Sequence, residues 1–330
     1  MASPATDLDL ALSPDRPAIL HVGDAADAAA WVSARCDDLR ALVDEHGALL
    51  VRGLPLTTAD QVGEISRGLA GPLMAEREAF ARRWTYSDGV YSSSKWPPNQ
   101  PMCMHHELSY TLDFPGLLVF SCLGAPSSGG VTGVADASAV LNALPAELVE
   151  RFEREGWQLV RNYNEMVGVP WQEAFGTEDR AEVERYCRDN HSEFGWDEMD
   201  GLRTKQRRSA IIKHPRTGER VWFNQVAFLN EWTIDPEVRD YLTMEFGPDG
   251  LPFNSRYGSG EPIGDDVIAL LNEVYERHTL REPWQAGDLM LVDNIARAHS
   301  REPYEGSREV LVAMGEPVRL ADCSPTITPA

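Results

Sequence analysis

The chain has 330 residues, 43% hydrophobic and 25% charged, with a formal net charge of -22 at pH 7. That apolar share suffices for a sizeable core, and the length suits a large β-sandwich or barrel with insertions. So acidic a surface argues against nucleic acid or an anionic membrane as partner, and an acidic substrate would need a local basic pocket.

Residues 1–17, "MASPATDLDLALSPDRP", are rich in Pro, Ser and Asp and are expected to be mobile; with no basic start and no apolar run they do not read as a signal peptide. The stretch 24–47 predicts a helix with Val32, Cys36, Leu39 and Val43 on one face and Gly47 as its C-cap. "ALLVRGL" follows as a buried strand, then a helix around 58–69. Residues 89–110 hold too much Pro and Ser for a helix, and "GLLVFSCLGA" reads as an apolar strand ending in the loop "GAPSSGG". "VTGVAD" is another short strand, and residues 141–156 and 177–190 are helical insertions. Residues 202–225 predict two strands joined by the turn "HPRTGE". The helix over 265–278 aligns Val267, Leu271, Val274 and His278, and "GDLMLVDN", "ARAHS" and "REVLVAMGE" return to strand.

No linker or repeat divides the chain, so residues 18–330 read as a single domain. The βαβ alternation and glycine-rich phosphate loop of a nucleotide-binding sheet are absent, which favours a mainly antiparallel, mainly β architecture with helical insertions. Five cysteines (Cys36, Cys103, Cys122, Cys187, Cys323) without CxxC spacing fit reduced thiols in a cytoplasmic protein. No apolar run approaches a membrane span.

In "MCMHHELSY" an extended backbone would put His105 and Glu107 on one face, and His106 with Met104 and Leu108 on the other. A His and a carboxylate two apart on a strand can share a metal. Among the remaining histidines, His299 follows the strong strand "DLMLVDN", whereas His46 and His278 sit at helix ends and His214 at a turn. Two imidazoles and one carboxylate with open positions is the ligand pattern of non-haem Fe(II) oxygenases, while a closed zinc site usually adds a fourth protein ligand.

The ordered motifs "MHHELSY", "GGVTGVAD" and "GDLMLVDN…AHSREPYEGSREVLVAM" resemble the taurine dioxygenase (TauD/TfdA) superfamily of Fe(II)/2-oxoglutarate-dependent oxygenases over about residues 76–318. The HxE form of the ligand motif is nearest the natural-product branch, which includes clavaminate synthase and the aspartyl hydroxylase of syringomycin biosynthesis. The resemblance implies a double-stranded β-helix (jelly roll). It implies Fe(II) held by His105, Glu107 and His299, with Thr132 and Arg308 on the distal carboxylate of 2-oxoglutarate. It also implies consumption of O2 with release of succinate and CO2. Because Glu107 is present where halogenating relatives carry a small residue, hydroxylation is favoured over halogenation.

The expected substrate is a small polar molecule, such as an amino acid, free or presented by a carrier protein, in antibiotic biosynthesis. The same iron site could instead desaturate, cyclise or epoxidise, and a non-catalytic metal-binding jelly-roll module is the alternative of another class. Asn224, on a strand expected to line the barrel, is either a cosubstrate or substrate contact or a structural amide. Arg297 shares the strand face of His299 and is expected to line the pocket. Arg82 and Arg83, with Ser92, Ser93 and Ser94, precede the iron motif and are expected to border the substrate opening. Cations there would draw a carboxylate-bearing substrate against the negative surface.

Overall fold

A computed structural model describes residues 9–93, 96–166, 168–247 and 249–328. Its centre is an eight-stranded sheet in which Asp113–Gly124 lies between Leu289–Asp293 and Glu309–Arg319. Every pairing in it is antiparallel except that of Arg16–His21 with Ala48–Arg52. Strand alternation divides its side chains between two cores. Leu117, Val119, Leu289, Leu291, Leu311 and Ala313 face outward, under the helices Ala28–Ser33, Cys36–His46 and Ala59–Ala70. Leu118, Phe120, Met290, Val292, Val310 and Val312 face inward, against a four-stranded antiparallel sheet ordered Thr279–Leu280, Val134–Asp136, Arg297–Arg301, Met102–His105. A third sheet is built from residues 157–163, 192–196, 202–208 and 253–257.

Local chemistry accounts for the helix ends. Thr58 and Gln61 form a reciprocal capping box at the start of Ala59–Ala70. Gly47 ends Cys36–His46 at φ +72°, as expected. The helix predicted over 24–47 is two helices, Ala28–Ser33 and Cys36–His46, because Arg35 leaves helical geometry at φ -124°, ψ 16°. The last helix, Asp265–Arg277, buries Ile268, Leu271, Val274 and Tyr275 rather than a stripe through Val267 and His278.

The mobile start expected for residues 1–17 does not hold for 9–17: Asp9–Ser13 and Arg16–His21 pair as a hairpin on the main sheet, which ties that segment down. Residues 1–8 lie outside the described residues. Residues 202–225 form three strands rather than two, with "HPRTGE" joining Ile211–Lys213 to Arg220–Trp222 as predicted. All five cysteines are free. Among the described residues no helix is long and apolar enough to cross a membrane.

Candidate metal centre and cosubstrate pocket

The two sheets close around a cavity whose walls include His105, Glu107, His299, Thr132, Arg308 and Arg301. His299 and His105 are direct partners on adjacent strands, with ring centroids 4.2 Å apart. His299 Nε2 lies 3.5 Å and His105 Nε2 3.9 Å from Glu107 Oε2. One ligand atom from each residue falls within 4.8 Å of the others. The distant segments expected to share an ion are thus brought together.

Glu107 arrives by a different route from the predicted one. The strand ends at His105, and residues 107–110 form a turn in which Leu108 adopts φ +53°. A non-glycine residue there is held by its surroundings. Asn294 supplies them: its Oδ1 accepts from Glu107 N at 2.8 Å, and its Nδ2 donates to the carbonyls of Glu107 at 3.0 Å and Pro115 at 2.8 Å. His106 does point away from the metal pair, and its Nδ1 donates to the Asn294 carbonyl at 2.6 Å.

The donor set suits a divalent ion. The Cys103 carbonyl, 2.8 Å from His105 Nδ1, assigns the proton to that nitrogen and leaves Nε2 as a lone-pair donor facing Glu107. Burial first, and then His299, push His105 down to about 3, so the ring is neutral and ready to ligate. Burial alone would raise Glu107, but Arg83, His299 and His105 together hold it well below the usual carboxylate range. A neutral His105 and an ionised Glu107 suit a facial Fe(II) site, which takes two imidazoles and one carboxylate. Phe228 stacks on His105 at 4.7 Å and Phe120 packs against His299 at 5.3 Å, fixing both rings.

A second polar feature lies on the same cavity. Arg308 donates to Gly130 O, Ser93 Oγ and Thr132 Oγ1 at 3.0–3.2 Å. Of five guanidinium N–H groups, that leaves one on each terminal nitrogen. Thr132 Oγ1 accepts from both Arg308 and Trp284 Nε1, so its own proton is directed to a further acceptor. No carboxylate pairs with Arg308 among the described residues, and burial, reinforced by Arg301, lowers it to about 10. Gly130 is required beside it: at φ +69°, a Cβ there would stand 3.1 Å from Arg308 Cδ.

The remaining expectations divide. Ser93 lines the cavity, and Ser92 caps the Trp84 N–H instead; Ser94 lies outside the described residues. Arg83 lines the cavity too, but its charge is paired with Glu76 and Glu107, each at 3.1 Å. Arg82 pairs with Glu173 at the surface. Asn224 is not on the cavity. Its Oδ1 accepts from Val226 N and its Nδ2 donates to Ala210 O, so the amide serves its own turn. Arg297 is also absent from the cavity. Its guanidinium passes over Gly47 to the His46 carbonyl and Asp136, where the missing Cβ leaves room. Sequence reasoning assigned no part to Asn294, Trp284 or Arg301. Asn294 left a trace as the last residue of "GDLMLVDN", and Arg301 stands within "AHSREPYEGSREVLVAM".

The sequence model of the "Taurine catabolism dioxygenase TauD, TfdA family" matches residues 14–314. The chain is 35% identical over 277 residues to the dapdiamide synthesis protein DdaC of Enterobacter agglomerans, covering 84% of each chain. It is 29% identical over 286 residues to a clavaminate synthase-like protein of Arabidopsis thaliana, covering 84% of this chain and 83% of that one. Among solved structures, PvcB of Pseudomonas aeruginosa superposes with a TM-score of 0.56 at 15% identity, covering 100% of this chain and 99% of that one. PvcB is described as an Fe, alpha-ketoglutarate dependent oxygenase from an isonitrile synthetic pathway.

Proposed function

The chain belongs to the TauD, TfdA family, and so to the Fe(II)/2-oxoglutarate-dependent dioxygenases. On that premise we propose that it hydroxylates an unactivated C–H bond of a small polar molecule, an amino acid or a carrier-bound aminoacyl group, in a natural-product pathway. The two facing sheets are read as a double-stranded β-helix, and residues 18–330, with the hairpin from residue 9, as one domain. Free cysteines support a cytoplasmic setting. The pathway reading is supported by DdaC, a dapdiamide synthesis protein, and PvcB, from an isonitrile pathway.

The observation that carries the reading is the convergence of His105, Glu107 and His299 beside a buried arginine that has no acidic partner among the described residues. His105 and His299 would hold Fe(II) through Nε2 and Glu107 through Oε2. Arg83 would keep Glu107 ionised and aimed by occupying its other oxygen. Arg308 would present its two spare N–H groups, and Thr132 its hydroxyl proton, to the distal carboxylate of 2-oxoglutarate. Bound iron and cosubstrate supply the oxidising power, consuming O2 and releasing succinate and CO2 as the substrate gains oxygen. Phe120, Val310 and Val312 give the cavity apolar walls, which would help to exclude water once it is filled. The protein's share of the work is position and a dry, charged pocket.

The test is succinate release from 2-oxoglutarate under air, with Fe(II) and ascorbate. Slow turnover without substrate is expected for the wild type and none for His105→Ala. Full turnover by that variant, or no succinate from wild type with any amino acid or aminoacyl carrier, would overturn the assignment.

A further inference from the structure

Arg301 is a second cation on the same cavity, two residues after His299 on the same strand. It is 5% exposed. Its Nη1 donates to the carbonyl of Trp96, and its Nη2 to those of Pro97 and Gln100, at 2.7–3.1 Å. Its Nε–H is buried with no partner, and one Nη1 proton is also unused. No carboxylate pairs with it among the described residues; the Tyr304 ring lies 5.2 Å from its guanidinium carbon, and Arg308, close enough to be destabilised by it, is a like charge. A buried, unmatched charge with a free donor is costly unless a ligand completes it.

The charges of the filled site point the same way. Arg83, Arg301 and Arg308 face the cavity against Glu107, with Glu76 behind Arg83. That arrangement carries one excess positive charge. A divalent iron and a dianionic cosubstrate cancel each other, so the loaded pocket keeps it. Arg83 cannot be the free cation, because both its carboxylate partners are in the protein. Arg308 is engaged by 2-oxoglutarate. Arg301 remains.

We propose that Arg301 anchors a carboxylate carried by the organic substrate, at a position separate from the cosubstrate carboxylate on Arg308. This rests on the oxygenase reading above. It moves the expected anion recognition from the Arg82–Arg83 segment to the strand that carries His299. The substrate's reacting carbon is then held within one small molecule's length of the iron ligands, because anchor and ligand share a strand.

The test uses the full chain loaded anaerobically with Fe(II) and saturating 2-oxoglutarate, with butyrate as the probe and butyramide as its neutral counterpart. Butyrate is expected to perturb the visible absorption of the complex and butyramide to leave it unchanged. Arg301→Gln should weaken butyrate binding at least about tenfold with 2-oxoglutarate affinity within about twofold, and Arg301→Lys should recover part of the loss. An Arg301 that only fastens the 96–100 turn would not distinguish the acid from the amide. Equal effects of the two probes on the wild type, or no effect of either, would overturn the proposal without recourse to any variant. So would undiminished butyrate binding in Arg301→Gln. If no 2-oxoglutarate complex forms at all, the oxygenase reading falls, and this inference with it; a complex that forms but ignores butyrate sinks only the inference.

Discussion

Asn294 grips Glu107 at both ends of one residue: its Oδ1 takes the Glu107 N–H at 2.8 Å while its Nδ2 reaches the Glu107 carbonyl at 3.0 Å. A side-chain amide here imitates a neighbouring strand where none exists. It holds in place a turn whose next residue, Leu108, sits at φ +53°. Asn294→Ala is expected to lower Fe(II) or Co(II) affinity about 10- to 100-fold, and stability by about 1–3 kcal/mol through unpaired buried backbone. Asn294→Asp keeps the acceptor but loses the donor and should fall between. Metal titration with a parallel thermal melt separates the two effects; unchanged metal affinity in Asn294→Ala would refute the positioning role.

Arg308→Gln removes the fixed charge proposed to meet the cosubstrate. Truncating one member of a buried charge-assisted pair costs about 2–4 kcal/mol, so KM for 2-oxoglutarate should rise roughly 30- to 1000-fold. Thr132→Val removes one neutral donor and should raise KM about tenfold. Steady-state succinate release checks both, and a smaller effect for arginine than for threonine would contradict the geometry.

Arg297→Ala should leave KM for 2-oxoglutarate and metal affinity within about twofold, since its guanidinium binds Asp136 and the His46 carbonyl on the far side of the strand. Melting temperature should drop, because a partly buried ion pair and a helix-end carbonyl lose their partner. A large rise in KM with no loss of stability would restore Arg297 to the pocket.

Glu78 offers a pH signature away from the metal. It is buried at φ +54°, and its carboxylate accepts from Tyr186 at 2.9 Å and Gln206 at 3.4 Å, while Arg161 bonds its carbonyl oxygen. Burial raises its pKa despite the nearby Arg161 and Arg208. A carboxyl whose folded pKa is raised binds its proton more tightly in the native state, so stability falls as pH climbs from the ordinary carboxylate range through the folded value. Glu78→Gln should therefore gain in relative stability over wild type as pH rises from about 4 to 8. Denaturant melts across that range test the sign, and a difference that narrows with rising pH would be the wrong one.

How much of this was legible in the chain depended on how local the chemistry was. His105, Glu107 and His299 could be grouped because ligand types recur in short motifs, and Arg308 and Thr132 entered through the resemblance; the fold sets all five on one cavity. Strand alternation gave the correct pairing of His105 with Glu107 although the backbone there is a turn; Asn294, far along the chain, makes it so. The same alternation misplaced Arg297. The strand begins at that residue, immediately after a turn fixed by Asp293, and Gly47 opens an alternative path for its side chain. For Asn224 the structural alternative holds for a related reason, since an amide can satisfy its own turn two residues on. Arg301 was passed over because its meaning lies in what it lacks, and missing partners are visible only once the fold has assembled the neighbours.

The central claim is that two imidazoles and one carboxylate bind iron beside a site for 2-oxoglutarate. Anaerobic equilibrium dialysis with Fe(II), with and without 2-oxoglutarate, addresses it most directly. One iron should bind per wild-type chain, held more tightly when 2-oxoglutarate is present, and binding should be lost in His105→Ala and His299→Ala variants that still melt cooperatively. Iron bound equally well by those variants, or indifferent to 2-oxoglutarate in the wild type, would contradict it.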